Sequence, residues 1–138
     1  MSSANGVRLR LDGLAIGSGF PRLISVDTPS PDEAHVVMGI GSELCWFRGH
    51  FPGNPVLPGV VQLHWAVTVS RAAFDFAQNV SEVRRLKFSR VVTPPSQVDL
   101  VVTRQGEHEA RFTFSSGGDR NSEGSLIFAE RGRCIPVP

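Results

Sequence analysis

Apolar residues in the middle of the chain recur at helical spacing. Proline and glycine are absent from residues 60–77, and Arg71 is the only Arg, Lys, Asp or Glu before Asp75. Two sides of this segment are apolar, with Val60, Leu63, Val67, Ser70 and Phe74 on one and Val61, Trp65, Val69, Ala72 and Phe76 on the other. Because a helix that is apolar nearly all round is normally buried, the pattern predicts a buried helix over 59–77.

Short β-branched segments lie on both sides of this helix, and turn residues separate them. The predicted strands are 23–26, 34–40, 82–92, 98–104, 109–115 and 124–130, with further strand character at 7–11. Residues 41–58 are rich in proline and glycine and predict no regular element. The pattern indicates an α+β fold in which an antiparallel sheet wraps around one long helix and hides both of its faces.

Composition narrows the function classes. Of the 138 residues, 41% are hydrophobic, which is too high a fraction for a disordered chain. The length predicts one domain, with a variable leader at 1–18, a core region at 19–130 and a tail at 131–138. A net charge of +1 provides no broad basic field, so nucleic acid is not an expected partner. No segment has the length of a membrane span or the apolar run of a signal peptide, so we expect a cytoplasmic protein that does not bind membranes.

The cysteines do not suggest a structural or metal-binding role. Cys45 and Cys134 are two isolated residues, and no CxxC or HxxxH spacing occurs. We therefore expect two reduced thiols and no bound metal.

The segment 50–59 carries the candidate chemistry. It contains three prolines, two glycines and one imidazole, His50, directly before the predicted helix. Pro58 and Gly59 fall in the first helical turn, where the N–H groups of Gly59 and Val60 are free to polarise a carbonyl oxygen. His50 is then the natural base for the α-proton of that carbonyl compound. A stiff connection that contains a histidine by chance explains the segment equally well.

The string HFPGNPVLPGV at 50–60 resembles the loop-and-helix signature of the 3-hydroxyacyl-[acyl-carrier-protein] dehydratases of the FabZ and FabA type. The resemblance extends weakly over 20–130 and implies a hot-dog fold that works as a dimer with two sites at the interface. It also implies that His50 is the base and that the N–H of Gly59 holds the thioester carbonyl. The positions expected to contact substrate are Phe51, Pro52, Gly53, Val60 and Gln62, and no cofactor is expected beyond the phosphopantetheine that carries the substrate.

One position departs from this family pattern. The family places a glutamate or aspartate fourteen residues after the histidine, contributed by the other subunit as the acid, and this chain has His64 there. An imidazolium at this position can act as the acid if His50 is neutral. Alternatively, His64 is a buried histidine in a subunit that has lost catalysis. Because of this departure, we expect a protein similar to the dehydratase-like proteins of aryl-polyene clusters rather than a housekeeping fatty-acid dehydratase.

Two function hypotheses follow. The first is an acyl-carrier-protein dehydratase acting as a homodimer, and the second is an impaired subunit that pairs with a homologous hot-dog subunit. A hot-dog thioesterase is a third and weaker hypothesis, because the carboxylate that such enzymes carry on the helix is also absent. A basic cluster suits an acidic carrier protein or a charged strand edge equally, and alternation predicts Arg84 and Arg90 on one face of its strand with Arg85 and Lys87 on the other.

Overall fold

The computed structural model describes residues 4–14, 20–41, 56–76 and 79–129. These residues form two helices and six strands, which are α1 (Ala4–Leu14), β1 (Arg22–Ser30), β2 (Glu33–Ile40), α2 (Gly59–Phe74), β3 (Val80–Phe88), β4 (Ser96–Arg104), β5 (Glu109–Ser116) and β6 (Asp119–Phe128). All strand pairs are antiparallel, in the order β1-β2-β4-β5-β6-β3. The predicted α+β class with a single antiparallel sheet is confirmed.

Strand alternation directs apolar side chains towards α2. In β2 every second residue is buried, and the same period continues in β4 and β5. The inward residues of these strands are Ala34, Val36, Met38, Ile40, Val98, Leu100, Val102, Ala110, Phe112 and Phe114. They pack with Trp65 and Val69 of α2, so the helix lies along the inner face of the sheet.

The leader forms a helix, and the strand predicted at 7–11 is wrong. Val7 and Leu11 are fully buried, whereas Leu9 between them is 71% exposed. A spacing of four residues places Val7 and Leu11 on one helical face, and α1 packs against α2 and β1. The Nε of Arg10 donates a hydrogen bond to the carbonyl of Ala72 at 2.8 Å, which ties α1 to α2. The apolar residues at 7, 9 and 11 alternate along the sequence but do not form a strand.

Several element ends differ from the predictions for local reasons. Helix α2 ends at Phe74 because Asp75 adopts a left-handed conformation with φ 59°, and its N–H bonds to the carbonyl of Arg71. Strand β3 begins at Val80 and ends at Phe88, so Arg90 lies beyond it. Strand β6 begins at Asp119, five residues before the predicted start, and continues the hairpin from β5.

Strand β3 is irregular at its centre. Its register against β6 shifts between Arg84 and Lys87, and Arg85 there has a φ of 55°. Such a β-bulge breaks the two-residue period. Arg85 and Lys87 line one surface depression, as the prediction that they share a face requires. The prediction that Arg84 and Arg90 share the other face of the strand is wrong, because β3 ends before Arg90.

Among the described residues, the sheet leaves one side of α2 exposed, contrary to the prediction that it hides both faces of the helix. Val60 is 70% exposed, and His64 and Arg71 are exposed further along the same side. We call Val60, His64, Val67 and Arg71 the outer stripe of α2. Neither described helix is long and apolar enough to cross a lipid bilayer.

Candidate active site

The amino end of α2 presents unpaired backbone donors. Pro58 is the N-cap residue, with φ −59° and ψ 142°, and its carbonyl accepts the N–H groups of Val61 and Gln62 at 3.1 and 3.4 Å. The N–H groups of Gly59 and Val60 meet no acceptor within the described residues. Because the positive end of the helix dipole lies at the same place, this end of α2 can hold an oxyanion or a polarised carbonyl oxygen.

Packing against β3 explains why residue 59 is a glycine. A Cβ atom on Gly59 would lie 2.7 Å from both Cε1 and Cζ of the Phe88 ring. Nearby, the N–H of Leu57 donates to the carbonyl of Val92 at 2.9 Å. The end of β3 and the segment after it therefore hold the residues at the start of α2 in place. Sequence reasoning missed Phe88, because it is distant from Gly59 along the chain and only the fold brings the two together.

His64 lies one helical turn beyond Val60, on the outer stripe. It borders a groove of about 660 Å³ whose other lining residues are Val67, Thr68, Arg71, Asp75, Phe76 and Asn79. The Oγ1 of Thr68 donates to the carbonyl of His64 at 3.0 Å. The His64 side chain is exposed in the single chain, within the part that the structure describes, so only a partner subunit could bury it.

Gln62 faces the opposite way. Its side chain is almost fully buried, and its Oε1 accepts a hydrogen bond of 2.8 Å from the hydroxyl of the buried Ser122 on β6. The structure thus brings Val60 and His64 to one face of α2 and Gln62 to the other. This hydrogen bond gives Gln62 a structural partner that the sequence did not indicate.

The loop residues of the predicted site lie outside the described residues. These are His50, Phe51, Pro52 and Gly53, together with the two cysteines. The roles assigned to them therefore stay predictions. Among the residues that are described, no three His, Cys, Asp or Glu side chains come together in a way that could hold a metal ion.

The basic residues of β3 and of the segment directly after it divide into paired and clustered groups. Arg84 bonds to Glu82 at 2.9 Å, and Arg90 bonds to Asp119 at 2.6 Å. The hydrogen bond from Arg84 lowers the pKa of the Glu82 carboxyl, and the same bond raises the pKa of Arg84. Each of these four side chains is at least half exposed, so the two pairs contribute little to the stability of the folded chain.

Arg85 and Lys87 instead line a surface depression of about 270 Å³ on the outer face of the sheet. Arg111 of β5 joins them there, and Glu123 of β6 lies 3.7 Å from Arg111. Arg111 was missed because only the pairing of β5 and β3 with the two sides of β6 brings it near Arg85 and Lys87. The depression therefore combines three cations with one carboxylate.

Comparison with known proteins identifies the family. Residues 26–125 match the family model named ApeI-like, which is described as ApeI dehydratase. The chain belongs to the ApeI-like dehydratase family. A chain of a solved structure, the dehydratase heterocomplex ApeI:P from Xenorhabdus doucetiae, superposes with a TM-score of 0.75 at 26% identity. The match covers 80% of this chain and 99% of that one, and confirms the predicted hot-dog fold.

Curated relatives of this ApeI-like chain include FabZ-type dehydratases. The 3-hydroxyacyl-[acyl-carrier-protein] dehydratase FabZ of Idiomarina loihiensis is 26% identical over 77% of this chain and 80% of that protein. The FabZ of Legionella pneumophila is 33% identical over 45% of this chain, and the alignment spans 48% of that protein. The predicted resemblance to hot-dog dehydratases is confirmed.

Proposed function

We propose that this chain dehydrates 3-hydroxyacyl thioesters carried on an acyl carrier protein to trans-2-enoyl thioesters. The observation that carries the proposal is the pairing of an open α2 amino end with His64 on the outer stripe, in a chain of a dehydratase family. Fatty-acid-like, aryl-polyene or polyketide synthesis would use this reaction. The cytoplasm, where the acyl carrier protein would be found, is the expected location.

The reaction requires an electrophilic stabiliser, a base and an acid. The N–H of Gly59 holds the thioester oxygen as charge develops on it, which makes the α-proton more acidic. His50 removes that proton, and the imidazolium of His64 protonates the departing 3-hydroxyl group. The C–O bond breaks, the new double bond forms between the α and β carbons, and one molecule of water leaves. His50 gains a proton and His64 loses one in this step. Because elimination of water is redox-neutral, the reaction requires no redox cofactor, and we propose that no metal takes part.

Two chains complete one site in this proposal. Within the described residues, the outer stripe of α2 exposes Val60, His64 and Arg71, and Val60 at its start is apolar. A homologous subunit packed on this stripe would bring its own histidine loop to His64. The dimer is therefore proposed as the active form, with His64 serving the site of its partner.

The carrier protein would dock through charge. We propose that Arg85 and Lys87 contribute to its docking surface, because both line the depression that also contains Arg111. Arg84 and Arg90 were predicted for the same role, but each is held by a carboxylate. They would have to exchange these partners for the acidic residues of a carrier protein.

A second candidate function is an impaired subunit that pairs with an active homologue. The histidine at position 64 favours it, because the family acid is a carboxylate. The heterocomplex described for ApeI and P of Xenorhabdus doucetiae is a precedent for unlike subunits in this family. In this role the chain would contribute one half of a shared site.

Turnover of a defined substrate distinguishes the two candidates. We would measure hydration and dehydration of a short enoyl thioester on carrier protein from pH 5 to 9, for wild type, His50→Ala, His64→Ala and His64→Glu. The dehydratase predicts a bell-shaped profile for wild type and a loss of about a hundredfold or more in both alanine variants. An inert wild type combined with a gain of activity in His64→Glu would instead identify an impaired subunit.

A further inference from the structure

The ring of Phe88 occupies an unusual position for a large aromatic side chain. It is 50% exposed at the end of β3, which is an edge strand of the sheet among the described residues. An exposed aromatic ring commonly marks a contact surface, because its burial on binding is favourable. Phe88 lies beside the open amino end of α2, where the thioester oxygen is proposed to bind.

The contact with Gly59 places the ring next to the amino end of α2, where the thioester oxygen is proposed to bind. The three atoms nearest to a Cβ built on Gly59 all belong to Phe88, at 2.7, 2.7 and 3.2 Å. A carbonyl oxygen bonded to the Gly59 N–H would lie about 2.9 Å from that nitrogen. The α-carbon is only two bonds from this oxygen, so a substituent on it falls within reach of the ring.

Hydrogen bonds hold the chain beyond Phe88 in place. The N–H groups of Ser89 and Arg90 donate to the carbonyl of Asn121 at 2.8 and 3.2 Å. The Nδ2 of Asn121, which is fully buried, donates to the carbonyls of Arg90 and Val91 at 3.4 Å each. With the hydrogen bond from Leu57 to Val92, this segment is fixed to both β6 and the start of α2.

We propose that Phe88 is a specificity-determining residue that limits the size of the group on the α-carbon of the thioester. The inference rests on the proposed dehydratase function. Its ring forms a wall beside the Gly59 N–H, and the anchored segment prevents that wall from moving away. An α-unsubstituted 3-hydroxyacyl group fits beside the ring, whereas an α-methyl group collides with it.

The test compares straight and α-methyl substrates in the full chain. We would measure kcat/KM for 3-hydroxybutanoyl and 2-methyl-3-hydroxybutanoyl pantetheine thioesters with wild type, Phe88→Ala, Phe88→Leu and the control Val91→Ala. Val91 belongs to the same segment and is 61% exposed, but none of its atoms is among those that crowd Gly59. One methylene in a fitted pocket changes discrimination by about 10 to 200-fold.

The expected result is a rise of about tenfold or more in the ratio of methylated to straight substrate for Phe88→Ala, with a smaller rise for Phe88→Leu. Val91→Ala should leave the ratio unchanged. An unchanged ratio in both Phe88 variants, or an equal rise in Val91→Ala, would overturn the inference. Thermal unfolding of each variant identifies any that fails to fold. If Phe88→Ala does not fold, the comparison is made with Phe88→Leu, which preserves an apolar side chain.

Binding separates this inference from the proposed function. Calorimetry with amide analogues of the same two acyl pantetheines, which keep the carbonyl oxygen and replace the thioester sulfur with nitrogen, reports discrimination without turnover. If wild type binds the analogues but does not turn over either thioester, the dehydratase proposal fails while the ratio of affinities still tests Phe88. If Phe88→Ala does not improve the relative affinity of the methylated analogue, the inference fails even in an active enzyme.

Discussion

The two faces of α2 differ in what they contact. On the inner face, Val61, Trp65 and Val69 are buried against the sheet, whereas on the outer stripe Val60, His64 and Arg71 are exposed. Both faces are similarly apolar at the start of the helix, and only the fold separates them. The inner face therefore determines whether the chain folds, while the outer stripe is available for a partner chain and for catalysis.

The largest expected effect follows from truncation on the inner face. Trp65 is fully buried and contacts the Phe20 ring edge-on, with centroids 6.0 Å apart. Trp65→Ala should lower the free energy of unfolding by about 3–5 kcal/mol, because it leaves a large cavity in the core. Val60 is exposed in the single chain, so Val60→Ala should change the stability of the unpaired chain by less than about 0.5 kcal/mol. Urea unfolding of both variants at protein concentrations too low for the proposed dimer tests the contrast. Equal losses under these conditions would show that the two faces are buried alike within one chain.

Loss of the His64 side chain on the outer stripe should reduce activity much more than stability. His64→Ala removes a side chain that is exposed in the single chain, so the stability of the unpaired chain should change by less than about 0.5 kcal/mol. Dehydration should nevertheless fall by about a hundredfold, because the variant lacks the proposed acid. Urea unfolding and turnover of the same preparation provide both numbers. A stability loss that accounts for the activity loss would assign His64 to the core instead.

Gln62 lies on the inner face, and its loss should reduce stability by less than the loss of Trp65. Gln62→Ala should cost about 1–3 kcal/mol, because it leaves the buried Ser122 hydroxyl without its acceptor. Ser122→Ala should cost a similar amount, and the double variant should cost less than the sum of the two. A double-mutant cycle in urea measures this coupling. Strict additivity would mean that the hydrogen bond contributes nothing.

The smallest effect is expected on the outer face of the sheet, at Glu82. Arg84 lowers the pKa of Glu82 in the folded chain, so its stabilisation is present above the ordinary glutamate pKa and is lost as the pH falls through the folded-state value. Because both side chains are exposed, the effect should be slight. Melting temperatures of wild type and Glu82→Gln from pH 3 to 7 should differ little and only at the upper end. A large difference that persists at pH 3 would contradict this assignment.

Local sequence signals predicted the strands and the start of α2, but not the contacts that shape the site. Pro58 and Gly59 mark the helix start because a proline there loses no hydrogen bond. The apolar residues at 7, 9 and 11 fit both a strand and a helix, and only packing against α2 selects the helix. The contact between Gly59 and Phe88 depends on where β3 pairs in the sheet, which no local pattern encodes. The bulge at Arg85 likewise arises from pairing with β6.

A hybrid dimer tests the shared site most directly. His50→Ala and His64→Ala chains would be co-expressed with different affinity tags, and the hybrid would be isolated by two successive purifications. We expect both parent dimers to be inactive and the hybrid to retain about half the wild-type activity, since one of its two symmetric sites contains both histidines. A hybrid as inactive as its parents, beside an active wild type, would show that His50 and His64 do not act together across two chains.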